Sequence, residues 1–240
     1  DIRRQVANIL DFDSPSCSAR IVNNYDWIGA LSAIHYLRDV GKHFSVNAMC
    51  AKDSVRSRLE RAEVGISYTE FSYMILQAYD FLHLYEQYGC CLQAGGNDQW
   101  GNMTAGIELI RRKHSAEAYA LTFPLITTAS GKKFGKTEQG TIWLDPDRTS
   151  PYAFYQFWLN VEDADVIRFL KYFTLLSLEE ILKVADSVRS HPEKREAQRL
   201  LAAEVTRLVH GDAELQKVLR VTAALFADGD FDSLDVRSIE

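Results

Sequence analysis

Apolar residues follow a helical spacing in much of the first half of the chain and gather into short runs near its middle. Thr69 to Tyr88 is the longest helical pattern of this half. Cys90 to Ala94 predicts a strand, and Ala105 to Lys113 predicts the helix that follows it. Ala118 to Phe123 predicts another short strand, and Ala19 to Val22 predicts a short buried one.

The pattern is helical only from Ser150 onward. Ser150 and Pro151 have the residue types of an N-cap and a first helical position. Ser177 and Glu180 form a capping-box sequence, and a long amphipathic pattern then runs from Pro192 to His210. Alternating helices and strands followed by helices alone indicate an α/β layer and then a helical domain.

Composition narrows the class of protein. The 240 residues are 47% hydrophobic, which is ordinary for a globular protein. The net charge of −6 argues against a surface that binds nucleic acid throughout, although a local basic patch could still contact it. No apolar run reaches about 18 residues and no signal-peptide pattern is seen, so we expect neither a membrane span nor export. The four cysteines have no metal-binding spacing. We expect reduced, buried thiols in a cytoplasmic protein and no tightly bound metal.

A glycine turn stands between the Cys90 strand and the Ala105 helix. Its sequence is Gly95-Gly96-Asn97-Asp98-Gln99-Trp100-Gly101-Asn102. Adjacent glycines lack the β-carbons that would keep a nucleotide away from the backbone. Asp98 has the carboxylate that accepts from ribose hydroxyls at such turns. An ordinary turn is the alternative interpretation.

A polar stripe follows one face of the long helix. Tyr73, Gln77 and Asp80 are spaced i, i+4 and i+7. A phenol, an amide and a carboxylate in this arrangement suit a small zwitterion, although a half-exposed surface stripe has the same pattern. Gln93 adds an amide inside an apolar strand, where it needs hydrogen-bond partners.

Two basic clusters are candidates for phosphate chemistry. Gly131 to Thr137 is a lysine loop with Lys133, Lys136 and a flexible Gly135, suited to the charge that develops on a leaving pyrophosphate. A solvated basic turn is the other possibility. Arg111 and Arg112 lie at a helix end, where they either match the helix dipole or contact the phosphates of an RNA.

Several long runs together resemble bacterial tyrosyl-tRNA synthetases, which are class I aminoacyl-tRNA synthetases. The resemblance extends over essentially the whole chain and is carried by Asn23 to Trp27, Phe71 to Asp80, Gly95 to Asn102, the lysine loop and Ser150 to Trp158. It implies that tyrosine attacks the α-phosphate of ATP and that the tyrosyl group then passes to the 3′ end of tRNA(Tyr). No protein nucleophile is needed, since positioning and charge stabilisation would carry the reaction.

The resemblance also implies residue roles. The tyrosine site would comprise Tyr73, Gln77 and Asp80, chiefly toward the α-amino group, with Gln93 beside them and Asn24 and Trp27 behind. The ATP site would comprise Gly95, Gly96, Asp98, Gln99, Leu125, Ile126 and Lys136. Lys133 and Thr137 would act on the pyrophosphate together with Lys136, and Mg²⁺ would accompany the ATP.

The resemblance further implies an architecture. Residues 1–124 would be the C-terminal part of a Rossmann-type domain with connective helices at about 30–90, residues 125–149 the lysine loop and a linker, and residues 150–240 the helical domain. Tyr68 and the helices from Arg38 to Glu60 would form a homodimer interface. The family's His-Ile-Gly-His signature and its C-terminal RNA-binding domain are not in this sequence, so we expect the 240 residues alone to be inactive.

Two other functions remain open at this stage. The first is a tryptophanyl-tRNA synthetase, an enzyme structurally related to the tyrosyl enzymes. The Tyr73-Gln77-Asp80 stripe followed by the glycine turn disfavours this function. A synthetase-derived RNA-binding or regulatory protein without aminoacylation is the alternative from another class. The intact glycine turn and lysine loop argue against it.

Overall fold

The computed structural model describes residues 1–60, 65–131, 134–137 and 140–226. The α-helices are α1 (Ile2–Val6), α2 (Tyr25–Ile28), α3 (Ala33–His35), α4 (Val46–Cys50), α5 (Asp53–Leu59), α6 (Tyr68–Tyr88), α7 (Trp100–His114), α8 (Pro151–Leu159), α9 (Asp163–Phe173), α10 (Leu178–Ser190), α11 (Glu196–His210) and α12 (Asp212–Phe226). A π-helix (Tyr36–Val40) continues α3, and short 3-10 helices are formed by Gly41–His43, Asn97–Gln99 and Pro192–Lys194. The strands are β1 (Leu92–Gly96), β2 (Tyr119–Phe123), β3 (Lys136–Thr137) and β4 (Gly140–Thr141). Backbone contacts divide the chain into two compact units, one of residues 22–125 and one of residues 1–21 with those from Ile126 onward.

Helices α6 and α7 build the core of the 22–125 unit. A capping box starts α6, because Ser67 Oγ accepts from the Glu70 amide while the Glu70 carboxylate accepts from the Ser67 amide. Gly89 ends the helix in the left-handed region with φ at +66°. Phe81 is fully buried where the two helices pack together. The predicted helix bounds of α6 are therefore confirmed to within a residue.

A parallel strand pair lies beside these helices. In its register, Leu92 pairs with Tyr119 and Gly96 pairs with Phe123. Residues on one face are exposed, including Tyr119 and Phe123, each by more than half. The sheet face is thus apolar and uncovered within the described residues of this unit.

Four details differ from the sequence-based expectation. Strand β1 begins at Leu92, two residues after the predicted start, and α7 begins at Trp100, five residues before the predicted start. The stretch from Ala19 to Val22 is not a strand and pairs with none of the described strands, and Ile21 is 49% exposed. The cysteines are not buried: Cys17 and Cys91 are exposed, and the other two are half-buried.

The second unit is built mainly from helices α8 to α12. Ser150 Oγ accepts from the Ala153 amide at 3.3 Å, with Pro151 at the first position of α8, as predicted. The Ser177–Glu180 capping box at the start of α10 is confirmed as well. Phe154, Phe169 and other large side chains of these helices share one buried core.

The N-terminal segment is tied to the second unit by polar contacts. Arg4 Nη2 donates to the buried carboxylate of Asp145 at 2.5 Å. Asn8 Nδ2 donates to the Val209 carbonyl at 2.7 Å. These contacts explain why residues 1–21 belong to the same unit as α11.

None of the described helices combines the length and the apolar character that a membrane crossing needs.

Candidate functional site

The carboxylate of Asp80 is held by two side chains that come from 50 or more residues away in the chain. Trp27 Nε1 donates to Oδ1 at 2.7 Å, and Asn24 Nδ2 donates to Oδ2 at 3.1 Å. Both donors lie at or next to the short helix α2. Each carboxylate oxygen can accept a further hydrogen bond, and because Asp80 is only half-buried, a ligand can reach it. Fixed acceptors of this kind are suited to an ammonium or hydroxyl group.

The Trp27 indole is itself held by a ring stack. Its ring lies 4.3 Å from the His83 ring, centroid to centroid, with an interplanar angle of 14°. His83 is one turn after Asp80 on α6, so one helix supplies both the carboxylate and the ring that orients its donor. The contact joins residues from distant parts of the sequence, which no local pattern predicts.

A hydrogen-bonded path joins the polar stripe of α6 to the glycine turn. Asn102 Nδ2 donates to Gln77 Oε1 at 2.9 Å and lies 3.5 Å from Gln99 Oε1. Gln99 Nε2 in turn donates to Asp98 Oδ2 at 3.1 Å. The structure thus brings Gln77, Asp98 and Gln99 into one network. Asn102 was not singled out from sequence, although its i, i+3 spacing from Gln99 was the available signal.

Tyr73 and Gln93 take no part in these hydrogen bonds. Tyr73 is 54% exposed on the same helix. Gln93 is half-buried on β1, and its Oε1 atom is shielded from solvent without a hydrogen-bond partner. An amide oxygen left in this state is costly, so it marks a place where a donor from a ligand or from further chain would be stabilised.

The glycine turn has a steric reason for its glycines. A β-carbon on Gly96 would lie 2.5 Å from Oδ1 of the exposed Asp98, so this carboxylate would have to move from its present position. A β-carbon on Gly95 would meet the Gln99 side chain at 3.4 Å, the limit of ordinary packing. The bare backbone therefore lets the Asp98 carboxylate fold back over the end of β1, where parallel strands bind ligands.

Two cavities open beside this turn. One of about 290 Å³ is lined by residues that include Tyr73, Asp98 and Asn102. Another of about 420 Å³ is lined by residues that include Asp98, Trp100 and Lys52. Burial lowers the pKa of the Lys52 ammonium, which donates to the Gly101 carbonyl. Lys52 was missed from sequence because a single lysine on a charged segment has no distinctive pattern.

The lysine loop is described only in part. Lys133 lies outside the described residues, while the backbone of Lys136 and Thr137 forms β3 and pairs with β4. Just before the loop, Leu125 is 63% exposed. Ile126 is half-buried, and its carbonyl accepts from the Phe134 amide at 3.2 Å. The geometry of the lysine side chains therefore stays a prediction.

Arg111 and Arg112 are both engaged near the end of α7. Their guanidinium groups pair with Glu108, Arg111 Nε to Oε2 at 2.9 Å and Arg112 Nε to Oε1 at 2.5 Å. These hydrogen bonds hold the pKa of the Glu108 carboxyl at about 2. Arg112 also donates to the His43 carbonyl at 3.0 Å. Both side chains remain about half or more exposed, which leaves donors available to a phosphate.

Comparison with known proteins identifies relatives over nearly the entire chain. The family model for class I tRNA synthetases (W and Y) matches residues 1–227. Tyrosine–tRNA ligase of Geobacillus stearothermophilus is 60% identical over 240 residues, which is all of this chain and 56% of that protein. The ligase of Roseiflexus castenholzii is 60% identical over 225 residues, 94% of this chain and 53% of that protein. The chain thus spans about half the length of the curated relatives that it matches.

A solved structure shows the same fold. A C-terminally truncated mitochondrial tyrosyl-tRNA synthetase from Aspergillus nidulans aligns with a TM-score of 0.74 at 31% identity, over 94% of this chain and 65% of that one. The parallel strand pair with its many surrounding helices is the Rossmann-like arrangement of class I synthetases. Because the family match extends over most of the sequence, this chain belongs to the class I tRNA synthetases of the tryptophan and tyrosine family, and within it is similar to the bacterial tyrosyl enzymes.

Proposed function

We propose that this chain is part of a tyrosine–tRNA ligase. The protein would join tyrosine to the α-phosphate of ATP, releasing pyrophosphate, and then pass the tyrosyl group to the 3′-terminal ribose of tRNA(Tyr). Its 60% identity to tyrosine–tRNA ligases supports this function. The main structural support for this function is the hydrogen-bonded chain from Gln77 through Asn102 to Gln99, because it connects the polar stripe of α6 to the glycine turn.

The tyrosine site would be the polar stripe. Asp80 offers a carboxylate already fixed by Trp27 and Asn24, so little entropy is lost when it accepts from the substrate. Tyr73 and Gln77 extend the same face of α6, and Gln93 adds the unpartnered amide oxygen on β1.

The ATP contacts would come from two sequence segments. At the glycine turn, Asp98 would accept from the ribose hydroxyls and Gln99 would lie toward the α-phosphate and the tyrosine carboxylate, with Gly95 and Gly96 allowing the close approach. Leu125 and Ile126 would face the adenine. In the lysine loop, Lys133, Lys136 and Thr137 would stabilise the charge that develops on the pyrophosphate. Mg²⁺ would enter with the ATP, bound through phosphate oxygens.

The macromolecular partners would be tRNA and a second copy of the chain. Arg111 and Arg112 keep exposed guanidinium donors that would contact the RNA backbone. Support for a homodimer comes from large apolar side chains that are exposed where the resemblance places the interface: Val46 is 61%, Leu59 49% and Tyr68 73% exposed. A cytoplasmic location follows from the proposed role in translation.

The finer architecture is also a proposal. Residues 22–124 would form the C-terminal part of the Rossmann-type domain, residues 125–149 the lysine loop and linker, and residues 150–240 a helical domain with which residues 1–21 pack. The shared core of α8 to α12 supports the last assignment. The exposed apolar face of β1 and β2 supports the assignment to a Rossmann-type domain, because a two-stranded sheet is only marginally stable unless further strands or helices cover it.

Tyrosine-dependent exchange of pyrophosphate into ATP tests the proposed function in the full-length protein that contains this chain. Asp80→Asn replaces one carboxylate oxygen with a donor, and we expect kcat/KM for tyrosine to fall about 10- to 100-fold, the value of a hydrogen bond to a charged group. Asp26→Asn is the matched control on α2, next to Trp27, and should leave kcat/KM unchanged.

Absence of exchange in the wild-type protein, with tRNA binding retained, would favour a regulatory RNA-binding protein over a ligase. We expect the 240 residues alone to be inactive, since they match only 56% of the relatives' length. Exchange by the purified 240 residues would contradict that expectation.

A further inference from the structure

A buried carboxylate holds the backbone that leads into the lysine loop. Asp165, in the first turn of α9, is 2% exposed. Its Oδ2 atom accepts from the Ala129 amide at 2.8 Å, and its Oδ1 atom accepts from Arg168 at 2.5 Å. Arg168 also donates to the Thr127 carbonyl. Asp165 and Arg168 together therefore bind two backbone groups of residues 127–129, the Ala129 amide and the Thr127 carbonyl.

An aromatic cluster holds the backbone on the other side of the first loop lysines. The Phe134 ring lies 4.5 Å from the ring of Phe169 and 5.4 Å from that of Phe173, centroid to centroid. On α8 it lies 5.3 Å from Trp158 and 5.5 Å from Phe157. Phe134 thus fills a socket built by two helices of its own unit.

The two attachments meet on helix α9. The Arg168 guanidinium lies 5.4 Å from the centroid of the Phe169 ring, which is also the ring nearest to Phe134. The Phe134 amide donates back to Ile126, just before the segment that Asp165 holds. Residues 126–129 and residue 134 are therefore attached to one rigid element.

The burial of the Asp165 carboxylate is costly, which points to a role for this residue beyond packing. A fully buried carboxylate is expensive to desolvate, and here one oxygen is committed to the amide of a loop and not to α9 itself. Phe134 is bonded directly to Lys133, and Lys136 follows two residues later. Attachment at residues 127–129 and at Phe134 would limit how far the intervening chain can shift, and a displacement of about 1 Å at a reacting centre costs about 100-fold in rate.

We propose that Phe134 and Asp165 are positioning residues for the lysine loop, Asp165 acting with Arg168 on residues 127–129 and Phe134 acting through its aromatic socket. This inference rests on the proposed function and assigns the two residues to the ATP step. They would affect the rate of adenylate formation without contacting tyrosine.

Steady-state pyrophosphate exchange by the full-length protein tests this role. We expect Phe134→Ala and Asp165→Asn to lower kcat about 10- to 100-fold while KM for tyrosine is unchanged. The asparagine side chain has one acceptor oxygen for two donors, the Ala129 amide and Arg168, so one of these hydrogen bonds is lost. Phe134→Met should restore most of the rate, because the thioether fills irregular space and packs on aromatic rings.

Two controls separate positioning from general loss of stability. Phe154→Leu removes a buried ring of the same core, and this ring packs edge-on against Trp158 and His210. Asp163→Asn alters another acidic residue in the first turn of α9, which accepts from Gln198. Both should lower the unfolding midpoint and leave kcat unchanged. Equal losses of kcat in the controls and in the two test variants would overturn the proposal.

Amide hydrogen exchange gives a readout that does not depend on activity. The amides of Ala129 and Phe134 should exchange faster in Asp165→Asn and Phe134→Ala, and at the wild-type rate in Phe154→Leu. If the wild-type protein shows no pyrophosphate exchange, the proposed function fails, and faster amide exchange would still establish the attachment. Unchanged amide exchange in both test variants would overturn the attachment itself.

Discussion

Two glycines of this protein lie where an added β-carbon would crowd a neighbouring side chain. Gly96 leaves space for the Asp98 carboxylate at the nucleotide turn. Gly106 does the same within α7, since a β-carbon there would lie 2.9 Å from Cδ1 of the fully buried Phe81. The first glycine is explained by the site, and the second by the close packing of α6 on α7.

Replacement of Gly106 by alanine should therefore destabilise the protein. Overpacking of this size costs about 1–3 kcal/mol, because Phe81 cannot move into solvent. Gly41→Ala is the matched control, since its β-carbon would make only ordinary contacts at 3.5 and 3.8 Å. Urea denaturation measures both variants. A Gly106→Ala protein as stable as Gly41→Ala would show that the two helices adjust freely.

Among the helices, the packing of α11 against α8 creates a pH-sensitive position. His210, the last residue of α11, is half-buried with its ring edge-on to Phe154 at 4.8 Å, and its Nε2 atom is shielded without a partner. Burial lowers the pKa of this imidazole, while Glu214 works in the opposite direction. The folded state therefore favours the neutral ring.

Stability should accordingly fall on acidification. Because the folded pKa of His210 lies below the unfolded value of about 6.5, the unfolded state binds more protons as the pH drops below that value. The loss grows until the pH reaches the folded pKa and then levels off. Thermal unfolding between about pH 7 and 5 checks this. His210→Gln should flatten the dependence, and the exposed His191→Gln should not; equal slopes in both variants would argue against burial as the cause.

The described residues form two hydrophobic cores. One is formed around α6 and α7, and the other around α8 to α12. The 22–125 unit leaves the apolar side chains of Tyr119, Leu121 and Phe123 on an uncovered sheet face. Lower stability is expected for the unit that buries less of its apolar surface.

Unfolding of the 240-residue chain should therefore occur in two steps. We expect peptides from α6 and α7 to lose hydrogen-exchange protection at lower urea concentration than peptides from α8 and α11. Mass spectrometry of the exchanged peptides measures the two midpoints separately. A single shared midpoint would mean that the two cores unfold as one cooperative unit.

Much of the local structure was determined by the sequence alone. The starts of α8 and α10 follow from caps that act within three or four residues, so Ser150 and Ser177 marked them correctly, and the helical spacing from Thr69 to Tyr88 gave α6 to within a residue. The glycine turn, the α6 stripe and the family were equally visible, since each depends on residues close together in the chain. Even the parallel pairing was implied by the order strand, helix, strand.

Only the tertiary structure decided which distant groups meet. Asp80 pairs with Trp27 across 53 positions, and Asp165 is buried against Ala129 across 36. Periodicity shows that a face is polar or apolar and does not show what covers it. For the same reason Ile21 is exposed where a buried strand was expected. Hydrogen bonds and burial over such separations depend on how whole elements pack, which no local pattern encodes.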